Sequence, residues 1–211
     1  MIFADLSISL EGFVAGPDPT QEDPLGKGGM QLHEWALAAF AWRDAHGREG
    51  GEGGVDSDII AETIARTGAG IMGRKMFSGG SGPWESDPNG RGWWGDDPPF
   101  HHPVYVLTHH EREPLEMEGG TTFHFITGGF DEALKLAREA AGDKDVQIHG
   151  GGEAVQAALA AGALDELNTH VAPVLLGSGY PLLRGTTGRL ERARVLESPS
   201  GVTHIRYRVL K

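Results

Sequence analysis

DVQIHGGGEAVQAALAA, residues 145–161, contains an apolar run, three glycines and an alanine-rich segment in immediate succession. Val146 to His149 reads as a short buried strand, Gly150, Gly151 and Gly152 as a turn, and Glu153 onward as a helix. Glycines let backbone approach a ligand closely and take positive φ where a turn needs it. A helix start directs unpaired N–H groups and the positive end of its dipole to the same place. Together these features make a cradle for phosphate. A tight strand-to-helix turn without a ligand satisfies the same residues, so the rest of the chain has to decide.

Working outward, the same texture recurs upstream. Ala69 to Met72 is a short apolar strand, followed by Gly73-Arg74-Lys75-Met76 at a helix start. The helix dipole disfavours cations there, so an anionic ligand would rationalise Arg74 and Lys75; two long side chains reaching into solvent is the alternative. Pro103 to Leu107 is a third strand, ending in Thr108, His109 and His110. Phe123 to Thr127 is a fourth, turned by Gly128-Gly129 into a helix over Phe130 to Ala141. In an open α/β sheet, such strand ends gather on one side, where ligands bind.

The first strand, Ile2 to Leu10, alternates with period two, placing Phe3, Asp5, Ser7 and Ser9 on one face. Either those residues are half-exposed or they line a cleft. Residues 17 to 29 form a proline- and glycine-rich loop. Met30 to His46 is expected as one helix with Leu32, Trp35, Ala36, Ala39, Phe40 and Arg43 on a shared face. After the break at Gly47 to Gly54, Asp56 or Ser57 caps a helix over Asp58 to Arg66. Residues 78 to 102, interrupted by prolines and holding Trp84, Trp93 and Trp94, read as a loop whose tryptophans pack on the body, over a cleft or against another subunit. Leu164 to Leu176 is a strand with Asn168, His170 and Ala172 on one face. Leu190–Glu197 and Val202–Leu210 form an antiparallel hairpin. The expected fold is a single α/β domain over residues 1–211, with a mixed, mostly parallel central sheet flanked by helices and closed by that hairpin.

Composition narrows the partners. A net charge of −12 argues against nucleic acid or an anionic membrane surface. With no cysteine, disulfides and thiolate metal sites are excluded, which fits a reducing cytoplasm. The start MIFADLSISLEG lacks the features of a signal peptide, and no apolar run reaches the length of a membrane span. The pairs His101-His102 and His109-His110 point to opposite strand faces within each pair, so no metal site is expected.

SISLEGFVAGPD, GAGIMGRKMF, PVYVLTHH, FDEAL, VQIHGGGEAVQAAL and LDELNTHVAPVLLGSGYPLL, in this order, resemble the dihydrofolate reductase-like superfamily. The branch is the one related to the reductase domain of bacterial riboflavin biosynthesis, and the likeness covers nearly the whole chain. The resemblance implies a dihydrofolate reductase-like fold and an NADPH site. Gly73, Arg74, Lys75 and Met76 would meet the adenosine phosphates, and Thr108, His109 and His110 the 2′-phosphate region. Gly150, Gly151, Gly152, Glu153 and Ala154 would meet the pyrophosphate and nicotinamide, with Ser7, Ile8, Val14 and Gly16 flanking the nicotinamide.

The implied chemistry is hydride transfer to a small heterocycle, pterin- or ribosylaminopyrimidine-like, as in a 5-amino-6-(5-phosphoribosylamino)uracil reductase. A cofactor-binding protein of the same fold without turnover is the alternative. Dihydrofolate reductases carry a carboxylate early in the helix after the first loop; here only Glu34 lies near, in MQLHEWALAAF. The resemblance also implies that Asp5 lies on the cleft side of the first strand and His170 on the strand beside it, which makes them the candidate catalytic pair: a buried Asp–His pair can hold the imidazole charged as a proton donor. A surface Asp and a hydrogen-bonded core His are the plainer reading of each alone. Relatives are commonly dimers, and the hairpin and tryptophan-rich loop offer apolar and edge surface, so a homodimer is expected.

Overall fold

The computed structural model describes residues 1–211. Strands β1 (Ile2–Ile8), β2 (Phe13–Ala15), β3 (Thr67–Gly73), β4 (Pro103–Leu107), β5 (Leu115–Glu116) and β6 (Thr122–Ile126) come first. They are followed by β7 (Asp145–Gly150), β8 (Glu166–Val171), β9 (Tyr180–Pro181), β10 (Arg189–Glu197) and β11 (Thr203–Leu210). The α-helices are α1 (Glu34–Ala38), α2 (Phe40–Ala45), α3 (Val55–Arg66), α4 (Arg74–Ser78), α5 (Phe130–Ala141) and α6 (Gly152–Ala160). Nine strands form one sheet in the order β10-β11-β8-β1-β7-β3-β4-β6-β5, and β2 pairs with β9 in a small second sheet.

Neighbours from β8 through β1, β7, β3 and β4 to β6 are parallel, whereas β11 joins β8, and β10 joins β11, antiparallel. The mixed α/β architecture therefore agrees with the sequence reading, including the closing hairpin. All the parallel strands end on one edge, so Ile8, Gly73, Leu107 and Gly150 face the same side of the molecule.

The two sheet faces are packed differently. One face is apolar: Ile2, Ala4, Leu6, Ile71, Val146 and Ile148 pack under α5 and α6 in a cluster of 20 buried residues. The alternation of Ala133, Leu134, Ala137 and Ala141 on α5 supplies one continuous stripe for it. The other face is divided. Over β3, β4 and β6, Phe77 on α4 meets Phe123 and Phe125, with Trp84 and Trp94 half-buried at the margin. Over β1 and β8 lie α1 and α3, with Trp35 and Leu32 buried. The tryptophan-rich loop thus packs on the body.

Three expectations are corrected. Met30 to His46 is not one helix: Gly29–His33 is a 3-10 turn, and Ala39 adopts extended backbone (φ −69°, ψ 138°) between α1 and α2, where it bridges to Glu52. Burial of Ala39 against that segment overrides its helix propensity, and Phe40 is left 50% exposed. Helix α3 begins at Val55 after Gly54, so neither Asp56 nor Ser57 is its N-cap. The strand expected over Leu164 to Leu176 is confined to Glu166–Val171. The short strands β5 and β9 carry too few residues for a period to reveal them, whereas β2 is where Phe13 to Gly16 reads as a short extended return after the Glu11-Gly12 turn. No helix is long and apolar enough to cross a membrane.

Candidate active site

The two glycine turns meet at the C-terminal edge. Met72 pairs with Gly150, and a Cβ built on Gly73 would lie 4.0 Å from the backbone nitrogen of Gly151. Gly150 requires glycine, since its φ is +133° and a Cβ there would stand 3.1 Å from Sδ of Met76. Gly151 faces open space: a Cβ there would meet nothing within 4 Å. Helix α6 starts there without a side-chain cap, with Glu153 exposed in its first turn and Ala154 buried. Gly152 is held by the β9 segment, where a Cβ would lie 3.2 Å from the Pro181 carbonyl oxygen.

The first-strand residues lie beside this junction. Ile8 pairs with Val171, and Val14 lies in β2, against β9. Ser7 is buried, and its hydroxyl accepts a hydrogen bond from Nε1 of Trp35 at 3.0 Å. Gly16 is closed over by the 17–29 loop: a Cβ there would collide with the Lys27 carbonyl at 2.1 Å. That loop also reaches the 78–102 segment, where Nε2 of Gln21 donates to Oδ1 of Asp87 at 3.1 Å.

At the other end, Gly73 pairs with Leu107, which sets Thr108 next to Arg74 in register. Thr108 is buried, its hydroxyl accepting the His110 N–H at 3.1 Å, while His109 is exposed. The His110 carbonyl accepts from Nε1 of Trp84 at 2.9 Å.

Arg74 does not stand free for an anion. It is buried, ion-paired with Asp87, hydrogen-bonded to Ser78, and its guanidinium lies 3.6 Å over the Trp84 ring. Burial alone would raise the Asp87 pKa, but hydrogen bonds from Ser78, Arg74 and the Asn89 N–H bring it below its ordinary value. Of the two cations expected to meet phosphate, only Lys75 presents its side chain to solvent. Five residues of helix and a carboxylate thirteen positions away account for the difference.

Asp5 and His170 are brought together. Nε2–H of His170 donates to Oδ1 of Asp5, while Oδ2 accepts from the Thr63 hydroxyl at 3.0 Å and from Asn168 Nδ2 at 3.1 Å. Burial works to raise the Asp5 pKa, but the charge and hydrogen bond of His170, with those of Asn168 and Thr63, lower it on balance. The pair continues further than the sequence suggested: Nδ1 of His170 lies 2.8 Å from Nδ1 of His204, whose Nε2–H donates to Asp56 at 2.7 Å. Both nitrogens of His170 are therefore engaged, and the residue is 3% exposed. As a proton donor directly facing a substrate, His170 has no free N–H.

Glu34, the one nearby carboxylate in the sequence reading, is exposed on α1 and makes no hydrogen bond or ion pair. The acidic residue that reaches this face from a helix is Asp56 on α3. His204 and Asp56 escaped the sequence reading because strand alternation marks a face without naming its partner, and Asp56 looked like a cap.

These strand ends and glycine junctions lie within the span that matches a known family. Residues 1–203 match the RibD C-terminal domain. The chain belongs to that family. With membership, its standing as an oxidoreductase of dihydrofolate reductase-like fold follows the sequence reading. Among solved structures it is similar to a Shewanella sp. PV-4 protein named for riboflavin biosynthesis, with 20% identity and a TM-score of 0.64, covering 100% of this chain and 99% of that one. Acinetobacter baumannii RibD follows with 16% identity and a TM-score of 0.61; all of this chain spans 58% of that longer one. Dihydrofolate reductase from Enterococcus faecalis, solved with NADP(H), shares 12% identity at a TM-score of 0.51, covering 100% and 97% of the two chains. At these identities the likeness is one of fold. A comparison with curated protein sequences finds no match.

Proposed function

We propose that this RibD C-terminal domain protein is an NADPH-dependent reductase of a small heterocycle, pterin- or ribosylaminopyrimidine-like. The observation that carries the reading is the meeting of the Gly73 and Gly150–Gly152 turns beside the uncapped start of α6, with open space at Gly151. Backbone N–H groups and the helix dipole there suit a pyrophosphate. Lys75 and His109, both exposed nearby, and the adjoining Thr108 and His110 supply polar groups for a further phosphate. On this reading Ser7, Ile8, Val14 and Gly16 flank the nicotinamide, and Met76 lies beside Gly150. NADPH, when bound, supplies the hydride. Arg74 contributes by fixing the 78–89 segment against α4 rather than by touching phosphate.

Fluorescence titration with NADPH and NADH tests the cofactor. Tighter binding of NADPH is expected, and binding of neither would remove the reading. NADPH consumption across oxidised pterins and ribosylaminopyrimidines then tests turnover. A second reading, an NADP(H)-binding protein without turnover, draws support from the engaged state of every polar atom in the Asp5–His170 pair. Cofactor binding with no turnover across that panel would favour it.

We further propose a cytoplasmic homodimer that works on a small molecule, using neither nucleic acid nor membrane. Its self-association is read from light scattering after size exclusion, where a monomeric mass would reject it.

A further inference from the structure

We infer that Asp5, His170, His204 and Asp56 form a buried relay in which two imidazoles share three ring protons and thereby tie α3 and β11 to the central strand β1. The argument is a count of donors. Each imidazole turns Nε2 toward a carboxylate, which accepts only an N–H while it is ionised, so both Nε2 atoms carry protons. The two Nδ1 atoms then face each other at 2.8 Å, and a bond of that length needs one proton between them. Four ring nitrogens hold three protons, and the two rings together carry one positive charge between two negative ones.

The surroundings suit that count and disfavour its neighbours. Four ring protons would set two N–H groups against each other at 2.8 Å, and two would set two lone pairs there. Both residues are buried, His170 to 3% and His204 to 4% exposure, so either arrangement would be held in an interior where like-facing donors or lone pairs are costly. Burial and the charge of His170 lower the His204 pKa against the pull of Asp56 and Asp5, which opposes a second positive charge on the pair.

The groups facing the relay come from every element around it. Trp35 of α1 lies 4.7 Å from the His170 ring and 5.0 Å from the His204 ring. His33, in the 3-10 turn, is held down to about 4 by burial and by His170, and stays neutral. Thr63 of α3 and Asn168 of β8 bond Asp5. His149 of β7, its pKa lowered well below the ordinary value by burial, adds no charge at neutral pH. Arg194 and Arg206 line the same side, with their charges taken up by Glu62, and Arg206 also by Glu166. The shared proton thus spans β1, β8, β11 and α3, elements that are distant in sequence. When it leaves, opposed lone pairs push β11 and α3 away from β8.

Nitrogen-edited NMR of the native protein at neutral pH tests the count, with His204→Gln used to assign the rings. Three ring N–H protons across His170 and His204 are expected; two or four would overturn the relay. Asp56→Asn removes one stabilising charge. The affinity of the pair for its third proton should then fall about tenfold or more, read as an earlier loss of that signal on raising the pH. An unchanged titration would overturn the inference. If His204→Gln fails to fold, the native count and Asp56→Asn still decide. Neither readout uses cofactor or substrate, so this inference and the reductase reading stand or fall separately.

Discussion

The junctions Gly73-Arg74-Lys75 and Gly150-Gly151-Gly152 are both strand-to-helix turns, lie side by side, and differ in what they leave open. At the first, a five-residue helix begins with a buried arginine closed down by Asp87, Ser78 and Trp84. At the second, a nine-residue helix starts with its amides uncapped and Gly151 facing open space. The first is therefore a clamp between α4 and the 78–89 segment, whereas the second leaves its helix start uncapped beside open space. A cation in a sequence is not a cation available to a ligand; a nearby buried carboxylate decides which it is.

Breaking the clamp should have the largest effect. Arg74→Ala leaves Asp87, its side chain 3% exposed, without its partner, and should cost about 3 kcal/mol in denaturant unfolding. A loss under about 1 kcal/mol would mean that the pair is not a clamp. Acid should attack the same place by titration. The folded pKa of Asp87 lies below its unfolded value, so its contribution is present above about pH 4 and is lost as the pH falls through the folded value. Asp5 is depressed likewise and adds to the loss. The second junction depends on no carboxylate, so fluorescence of Trp84 should change in acid before hydrogen exchange of α6 rises. Simultaneous change would dissolve the distinction.

Substitutions at the second junction should separate fold from ligand. Gly150→Ala forces a side chain into positive φ beside Met76 and should cost about 1–2 kcal/mol of stability, measured by thermal unfolding. Gly151→Ala, with φ −79° and open space, should leave stability within about 0.5 kcal/mol. It should weaken NADPH binding about tenfold, or about 1.4 kcal/mol; unaltered affinity would place the pyrophosphate elsewhere. The smallest effect belongs to Lys75→Ala. An exposed cation should contribute about threefold to NADPH affinity and nothing to NADH, and an equal loss for both cofactors would deny it the extra phosphate.

Much of the fold was legible because local signals and tertiary demands agree. Pro103–Leu107 and Phe130–Ala141 have the expected bounds, since an apolar run between breakers and an amphipathic stripe are each complete within their own residues. The region from Met30 to His46 read wrongly because Ala39 answers to Glu52 across a loop, a contact with no trace in helical spacing. In the candidate site, Asp5 and His170 were traceable because the family resemblance sets their strands side by side, as the structure has them. Their continuation to His204 and Asp56 was not, since it depends on how β11 and α3 dock.

By itself the sequence determined the order of the main parallel strands and the helices between them, the glycine turns at two strand ends and the closing hairpin, all of which follow from periodicity and backbone sterics within short windows. Tertiary structure alone decided that Arg74 is bound by Asp87, that Glu34 faces solvent, and that two histidines and two aspartates join in one buried chain. The physical reason is the same each time: the state of a charged group depends on what stands within a few ångströms of it, and in this sheet those neighbours come from distant parts of the chain.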